Sequence, residues 1–368
     1  MLKGNTLLTQ RIENYLSDLI DNGSLHTGDR LLPEREIAKL FNASTKPVRN
    51  AMQKFIDQGV LEKVHGKGTF VRKVTSRSKQ SDRLAILHCH SREGFFGSTF
   101  YTSIIAGVEA GAHQVHKALV MQSLFREDGV DPSDTFRLLE QDTDGLILID
   151  PFPDLYFQLE PCIRQSTKPV VILNAEYATS DFDYILTDSR ENTRQLTELL
   201  ISLGHTRIAC LYKKEKGRVH PNFANRVAAY KDTMEGHGLP IPDEMVVGFS
   251  DQGTCDRVRG LLDSKNRPTG IVCTGGHIAS HLVYPEVLKL GMSIPDDVSV
   301  VSYDDDLLSL TLNPHVTVMD TGLRKMGQLG VKRILEKQEE KERGEETHYR
   351  VVLPGKLLLR DSHKALKR

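Results

Sequence analysis

Cysteine is scarce in this chain, which has five cysteines among 368 residues. They show no paired spacing, and most lie inside apolar segments typical of buried strands: Cys89, Cys162, Cys210, Cys255 and Cys273. An odd number of scattered cysteines argues against a disulfide framework and indicates reduced thiols in a protein core.

Long apolar runs are missing as well. No stretch approaches the roughly 20 apolar residues that a helix needs to span a bilayer. The first thirty residues are polar and amphipathic, unlike a secretory signal. We therefore expect a soluble, cytoplasmic protein with no membrane partner.

Local signatures of catalysis and of cofactor binding are also absent. The sequence has no nucleophile elbow, no Walker loop and no dinucleotide fingerprint. Its carboxylates are spread along the chain, so sequence alone cannot pair them into a general acid and base. We predict no enzyme activity, no catalytic residue and no cofactor.

Histidine spacing does not predict a metal site. His277 and His281 lie four residues apart, but the glutamate of the zinc-protease pattern is missing. His88, Cys89 and His90 fall in a predicted strand, where successive side chains point to opposite faces.

The net charge of −1 hides an asymmetry. Residues 1–82 contain 14 Lys and Arg against 9 Asp and Glu, whereas the remainder contains 34 against 40. The basic N-terminal part is therefore the part expected to meet nucleic acid.

Two short helices are predicted in that basic part. Pro33 suits the first turn of a helix over Glu34–Phe41, with an apolar stripe of Ile37, Ala38 and Leu40. Ser44 is a good N-cap for a second helix over Thr45–Gln58. Helices separated by so short a turn predict a helix-turn-helix, and residues 7–22 predict a further helix packed beneath it.

A β-hairpin is predicted directly after the second helix. The segments VLEKV and TFV have strand character, and HGKG between them forms a flexible tip, as in the wing of a winged helix. Cationic side chains cluster on the second helix and the wing: Lys46, Arg49, Lys54, Lys63, Lys67, Arg72 and Lys73. They indicate a surface for a phosphate backbone, although a solvated helical face is the alternative.

The segment LPEREIAKLFNASTKPVRNAMQKFIDQGVLEKVHGKGTFV resembles the DNA-binding domain of the GntR family of bacterial transcription factors. The resemblance implies DNA contacts from the following residues: Glu34, Arg35, Ser44, Thr45, Lys46, Arg49, His65, Gly66, Lys67 and Gly68. Thr45 departs from the family, which usually has a base-reading arginine there. Arg49 matches a common family contact and is the candidate for reading guanine.

The chain beyond a polar linker at 74–82 changes character. Nine short apolar runs, from LAILHC to VSVVSYDD, alternate with helical patterns. This alternation predicts an α/β protein with doubly wound parallel sheets, and so many strands favour two lobes. We expect a winged helix-turn-helix domain at 1–73 and a two-lobed domain at 83–368.

The second part resembles the sensor domain of the LacI/GalR family, most specifically in ISLGH and IPDDVSVVSYDD. That family has the periplasmic-binding-protein type I fold. The resemblance implies a first lobe of 83–187 plus 315–342 and a second of 188–314 plus 343–362. The complete arrangement resembles that of arabinose-responsive, AraR-like repressors.

The resemblance also places an effector between the lobes. It aligns Arg226, Asp304 and Asn174 with ligand contacts, and Asp320 less closely. Asp150 and Glu176 fall at the rim, and Phe100 and Tyr101 occupy the place of paired aromatics that stack on a ligand. The alternatives are a surface role for Arg226, an N-cap for Asp304 and a core position for the aromatics.

One motif departs from the LacI pattern. TGGHIAS stands where many family members have NDxMA, so Gly275 and Gly276 replace a polar pair that binds the ligand. This departure leaves open a pocket that no longer binds an effector.

The residues and both resemblances together predict a homodimeric transcriptional repressor of double-stranded operator DNA. A small polar effector, a sugar or a related compound, would control it. An enzyme domain fused to a DNA-binding head, and a DNA-binding protein with a vestigial pocket, are the alternatives.

Overall fold

The computed structural model describes residues 8–366, except 10, 14, 17–18, 21–24, 58, 73–80, 91–94, 125–129, 177–180, 215–216, 250–251, 305–306 and 346. The chain forms two compact units, Met1–Gln80 and Ser81–Arg368. Lys73 and most of the predicted linker lie outside the described residues. No helix among those described is long and apolar enough to cross a membrane.

The first unit contains the predicted pair of helices, α1 (Glu34–Leu40) and α2 (Thr45–Asp57), after a helical segment within residues 8–20. Asn42 has φ 46° in the turn between them, a left-handed conformation that asparagine tolerates better than most residues. Val48 and Met52 of α2 pack with Ile37 of α1 in one apolar core. Leu40 was expected in that core but is 61% exposed.

The wing is an antiparallel hairpin of β1 (Leu61–Val64) and β2 (Gly68–Val71), in which Leu61 pairs with Val71 and Val64 with Gly68. Gly68 has φ 120°, and a Cβ there would lie 2.8 Å from Nε of Arg30. The backbone conformation favours glycine, whereas the Arg30 side chain could move aside for a Cβ.

The strands of the second unit are β3 (Arg83–His88), β4 (Ala118–Ser123), β5 (Leu146–Ile149), β6 (Val170–Leu173), β7 (Asp183–Thr187), β8 (Ile208–Lys213), β9 (Val246–Phe249), β10 (Gly270–Cys273), β11 (Ser299–Tyr303), β12 (Thr317–Asp320), β13 (Arg350–Leu353) and β14 (Lys356–Leu358). Its helices are α3 (Thr99–Gln114), α4 (Pro132–Asp142), α5 (Pro153–Gln165), α6 (Ser189–Ser202), α7 (Pro221–Gly236), α8 (Gln252–Leu262), α9 (Gly276–Ile278), α10 (Tyr284–Lys289), α11 (Leu307–Thr311) and α12 (Leu323–Glu342). A π-helical turn, Ala279–Val283, joins α9 to α10.

These strands form two six-stranded sheets, one in each lobe. The order in lobe 1 is β13-β7-β6-β5-β3-β4, with every pair parallel. The order in lobe 2 is β14-β12-β11-β10-β8-β9, parallel except for β12 with β14. The predicted α/β class with two parallel-sheet lobes is confirmed.

The predicted division of the chain between the lobes is wrong for one strand in each of two segments. Residues 315–342 were assigned to lobe 1, where α12 does pack against α3, but β12 pairs with β11 in lobe 2. Residues 343–362 were assigned to lobe 2, where β14 does pair with β12, but β13 pairs with β7 in lobe 1. The chain therefore crosses between lobes after β7, after β12 and after β13.

Helices α3 and α12 pack closely in lobe 1 through glycine. A Cβ on Gly107 would lie 2.0 Å from the Arg324 carbonyl oxygen, and one on Gly327 would lie 2.2 Å from that of Ile104. Such approaches leave no space for any side chain. The two glycines thus set the separation of these helices.

A buried ion cluster fixes the other end of α12. The Arg333 guanidinium is 3% exposed and donates to Asp183 Oδ1 at 2.7 Å and to Glu340 Oε1 at 2.6 Å. Hydrogen bonds from Arg333 hold the pKa of Glu340 down at about 2. Removing one partner would leave a buried charge uncompensated, so the cluster holds α12 against β7.

We expect Gly107→Ala or Gly327→Ala to lower the free energy of unfolding by about 1–3 kcal/mol, because the new methyl group overlaps backbone atoms. The control is Gly260→Ala in α8, where nothing lies within 4 Å of the added Cβ. It should stabilise the protein by about 0.4–1 kcal/mol. Urea unfolding measures all three variants, and similar effects at all three positions would contradict the close packing.

Candidate nucleic-acid interface and ligand cleft

Arg49 is held by Glu34 on the surface of the first unit. Its Nη2 and Nε donate to Glu34 Oε2 at 2.9 and 3.2 Å, and the guanidinium is exposed on α2. Lys63 of the wing lies 3.7 Å from the other carboxylate oxygen. Hydrogen bonding from Arg49 lowers the pKa of Glu34. The Glu34 carboxylate at the start of α1 thus interacts with a cation on α2, Arg49, and with a cation of the wing, Lys63.

The other predicted DNA contacts occupy the same elements. Ser44, Lys46 and Arg35 are exposed and Thr45 is half-buried, near the starts of α1 and α2. The wing turn exposes the remaining residues, except for half-buried Gly68: His65, Gly66, Lys67 and Gly68. Arg30, which was not among the residues predicted from the sequence, forms an isolated antiparallel β-bridge with Phe70 of the wing.

A cleft lies between the lobes of the second unit, where strands of both sheets end. Its empty volume, open solvent included, is about 530 Å³. Asp150 follows β5, Asn174 follows β6 and Asp304 follows β11. Carboxyl ends of parallel strands are the usual place for ligands in open α/β sheets. The cleft is lined by Ser98, Thr99, Phe100, Tyr101, Asp150, Asn174, Lys213, His220, Asn222, Phe223, Arg226, Gly275, Gly276, His277 and Asp304.

Three of these strand-end residues have left-handed backbones. The φ angles are 45° for Asp150, 64° for Asn174 and 60° for Asp304. Asparagine and aspartate adopt this conformation more readily than other residues with side chains, yet it has a cost. All three are buried, so the surrounding contacts enforce a geometry that places polar groups at the cleft.

The Asp150 carboxylate receives hydrogen bonds from both lobes. From lobe 1, Tyr101 donates to Oδ2 at 2.9 Å and Asn174 donates to Oδ1 at 2.9 Å. From lobe 2, Asn222 Nδ2 donates to Oδ1 at 3.0 Å, and also to the Asn174 carbonyl at 2.8 Å. His220 Nε2 lies 3.6 Å from Oδ1. The lobes are thus bridged across the inner end of the cleft.

Two further contacts link the lobes nearer its rim. Arg218 donates to Asp154 at 3.1 Å, and this pairing lowers the pKa of Asp154. Asn225 donates to Glu176. Together with the Asp150 bridge, they hold the lobes closed over the cleft.

Arg226 is a buried cleft residue, which excludes the alternative of a surface arginine. Only 3% of it is exposed, and Nη1 donates to the Thr274 carbonyl at 2.5 Å. Its guanidinium lies 3.9 Å from the centre of the Tyr303 ring, a cation–π contact. Burial raises the pKa of Tyr303, whose hydroxyl donates to the Ser189 carbonyl at 2.7 Å. The arginine is therefore held rigidly at the floor of lobe 2.

The predicted aromatic pair divides between core and cleft. Tyr101 is 7% exposed and belongs to the lobe 1 core, but its hydroxyl reaches Asp150 and lies 2.8 Å from His90 Nε2. Phe100 is half-buried on the lining, edge-on to Tyr101. Phe223, which the sequence did not predict, provides a second ring from lobe 2.

Two predicted effector contacts lie outside the lining. Asp320 accepts a hydrogen bond from the Gly322 backbone at 2.9 Å and shapes the crossing into α12. Its carboxylate therefore serves the connection, not the cleft. Glu176 is engaged with Asn225.

Several lining residues were missed by sequence reasoning. His220, Asn222 and Phe223 open the helix that carries Arg226. Asn222 and Arg226 are four residues apart, so they share one helix face, and this spacing was the available signal. Lys213 and His277 had no such signal, because only the strand order brings the ends of β8 and β10 together.

Two family models match the chain. The model of bacterial regulatory proteins of the gntR family matches residues 8–71. The model of the periplasmic binding protein-like domain matches residues 197–363. Both resemblances found in the sequence are thereby confirmed.

Individual proteins give the same assignment over longer stretches. The arabinose metabolism transcriptional repressor of Geobacillus stearothermophilus is 23% identical, with 97% of each chain covered. A LacI transcriptional regulator of Bacillus cereus subsp. cytotoxis has a similar structure, with a TM-score of 0.67, 24% identity and coverage of 77% of this chain and 99% of that one.

A LacI family regulator of Enterococcus faecium, solved with bound ribose, has a TM-score of 0.63 and 20% identity, covering 77% of this chain and all of that one. Likeness at such identities establishes the fold of the second unit. The chain is therefore a transcriptional regulator that joins a DNA-binding domain of the gntR family of bacterial regulatory proteins to a periplasmic binding protein-like domain.

Proposed function

We propose that the chain is a homodimeric repressor whose hold on operator DNA is controlled by a sugar bound between its lobes. The observation that carries this proposal is the cleft itself. Buried polar side chains from both lobes converge there, three of them on left-handed strand ends. A site of this kind suits a small ligand with many hydroxyl groups.

Arg49 is the base-reading residue of the head in this proposal. A guanidinium can pair with both acceptors on the major-groove edge of guanine. Glu34 cannot bind phosphate, because it is an anion, so its role is to orient the guanidinium. Lys46 and Lys67, exposed at the start of α2 and at the wing, supply backbone contacts without sequence preference.

The effector would act through the angle between the lobes. Asp150 and Asn222 face each other across the cleft, so a ligand that replaces or adds to their hydrogen bonds favours one lobe angle over another. In a dimer built on the lobes, that angle sets the spacing of the two heads on their half-sites. The change in DNA affinity cannot exceed the effector's differential affinity for the two states.

The named relatives support a sugar as the effector class. One is a repressor of arabinose metabolism, and a structural neighbour contains ribose. Catalysis has no comparable support: the Asp150 carboxylate, a possible base, is already committed to donors from both lobes. In this proposal the chain is a cytoplasmic regulator.

We expect Arg49→Ala to weaken binding to a selected operator by about 1–3 kcal/mol and to relax one base position, because one base contact is lost. Lys67→Ala should weaken operator and random DNA alike and reduce the salt slope by about 1. Fluorescence anisotropy over a salt series measures both.

The matched control for these substitutions is Lys54→Ala, since Lys54 is also a cation on α2 but pairs with Glu13. It should change neither affinity nor sequence preference appreciably. Equal losses on operator and random DNA for Arg49→Ala would refute the base-reading role.

We expect L-arabinose or D-ribose to raise the melting temperature with increasing concentration, by an amount equivalent to about 2.7 kcal/mol at 100 times Kd. Arg226→Lys should weaken that sugar at least about tenfold, because the planar fork of donors is lost. Arg190→Lys, on the exposed face of α6, is the control and should bind as the wild type. If no pentose, hexose or nucleoside shifts the melting temperature or alters operator binding, the cleft is not an effector site.

A further inference from the structure

The segment Gly275–His277 lines the part of the cleft floor that departs from the LacI pattern. The inference drawn from it rests on the proposed function, because it concerns what the effector meets there. Gly275 and Gly276 supply no side-chain hydrogen bonds, whereas His277, the next residue, lines the cleft.

Gly275 and His277 are sterically coupled. A Cβ on Gly275 would lie 3.0 Å from Cε1 and 3.3 Å from Nδ1 of His277, and 3.5 Å from Phe223. A side chain at this position would therefore require the imidazole to shift by a few tenths of an ångström. The glycine makes room for the histidine ring, so the departure exchanges one polar group for another.

Several buried polar atoms around this floor have no hydrogen-bond partner among the described residues. They are Asn222 Oδ1, Arg226 Nε and His277 Nε2 on the lining, and Thr274 Oγ1 beside it. Each unsatisfied buried group costs about 1–3 kcal/mol. Their grouping at one cleft indicates that a bound molecule satisfies them.

The imidazole of His277 stays neutral. Burial lowers its pKa to about 3, and the nearby cations of Lys213, Arg226 and protonated His281 act in the same direction. A neutral imidazole offers one donor and one acceptor. A ligand hydroxyl can match Nε2 in either tautomer.

The orphaned atoms also discriminate between ligand classes. Asn222 Oδ1 needs a donor from the ligand, because the Asn222 amide nitrogen is already bound to Asp150 and to the Asn174 carbonyl. Oxygen atoms of a carboxylate or a fully ionised phosphate only accept. Hydroxyl groups both donate and accept, so they can satisfy the whole set.

We propose that His277 is the specificity-determining residue of the cleft floor, with Nε2 hydrogen-bonded to a hydroxyl of a neutral polyhydroxylated effector. In this role it replaces the polar pair that Gly275 and Gly276 lack. Gly275 is a positioning residue, since it acts only through the imidazole.

Isothermal titration of the full chain with L-arabinose, D-ribose and their 5-phosphates tests this proposal. His277→Ala should weaken the tightest-binding neutral sugar on the order of tenfold, because its hydroxyl loses a partner. His277→Gln, whose amide can also donate or accept, should stay within about threefold of the wild type. His281→Ala is the control: His281 lies one turn further on and is exposed, so its loss should change nothing.

Gly275→Ala adds a second readout. It should weaken the same sugar several-fold in the wild type but have little further effect in His277→Ala, since its action passes through the imidazole. Melting temperatures of the ligand-free variants identify any that fail to fold.

The inference is overturned if His277→Ala binds as tightly as the wild type, or if a 5-phosphate binds more tightly than its parent sugar. Failure of the proposed function is a different result: the wild type then binds none of the four compounds, and none of them changes its affinity for operator DNA.

Discussion

The carboxylate of Asp150 is the point on which the second unit depends. Asp150 follows β5 and has a left-handed backbone conformation. Its carboxylate accepts hydrogen bonds from Tyr101 and Asn174 of its own lobe and from Asn222 of the other lobe. A buried carboxylate is costly unless donors surround it, so the donors that Asp150 draws from both lobes join them at the inner end of the cleft. Any ligand that enters the cleft must either keep or replace the hydrogen bonds to Asp150 that join the two lobes.

A second carboxylate organises the DNA-binding head in a comparable way. Glu34 accepts hydrogen bonds from Arg49 and forms an ion pair with Lys63, so two helices and the wing share one network of charged residues. The network is exposed, and its worth for stability is small. The network also fixes the orientation of the Arg49 guanidinium, because Nε and Nη2 both donate to one oxygen of Glu34.

The two glycines after β10 depart from the family pattern and change the hydrogen-bonding groups of the cleft floor. In the sequence, Gly275 and Gly276 replace two polar groups and leave open a pocket that no longer binds an effector. In the structure, a Cβ on Gly275 would lie 3.0 Å from the His277 ring, so the glycine leaves that ring room beside the cleft. The cleft floor therefore keeps a polar side chain, that of His277, although its hydrogen-bonding groups differ from the family pattern.

Local patterns determined much of this protein: the helices of the head, the wing, nine strands of the two sheets, and Arg226, Asn174 and Asp304 as cleft residues. These follow from periodicity, turn residues and family motifs, which act over a few residues. Only the tertiary structure decided that β12 belongs to lobe 2 and β13 to lobe 1, that Asp320 shapes a crossing, and that Lys213 and His277 line the cleft. Strand order sets these outcomes, and strand order arises from the packing of distant segments, which no local pattern records.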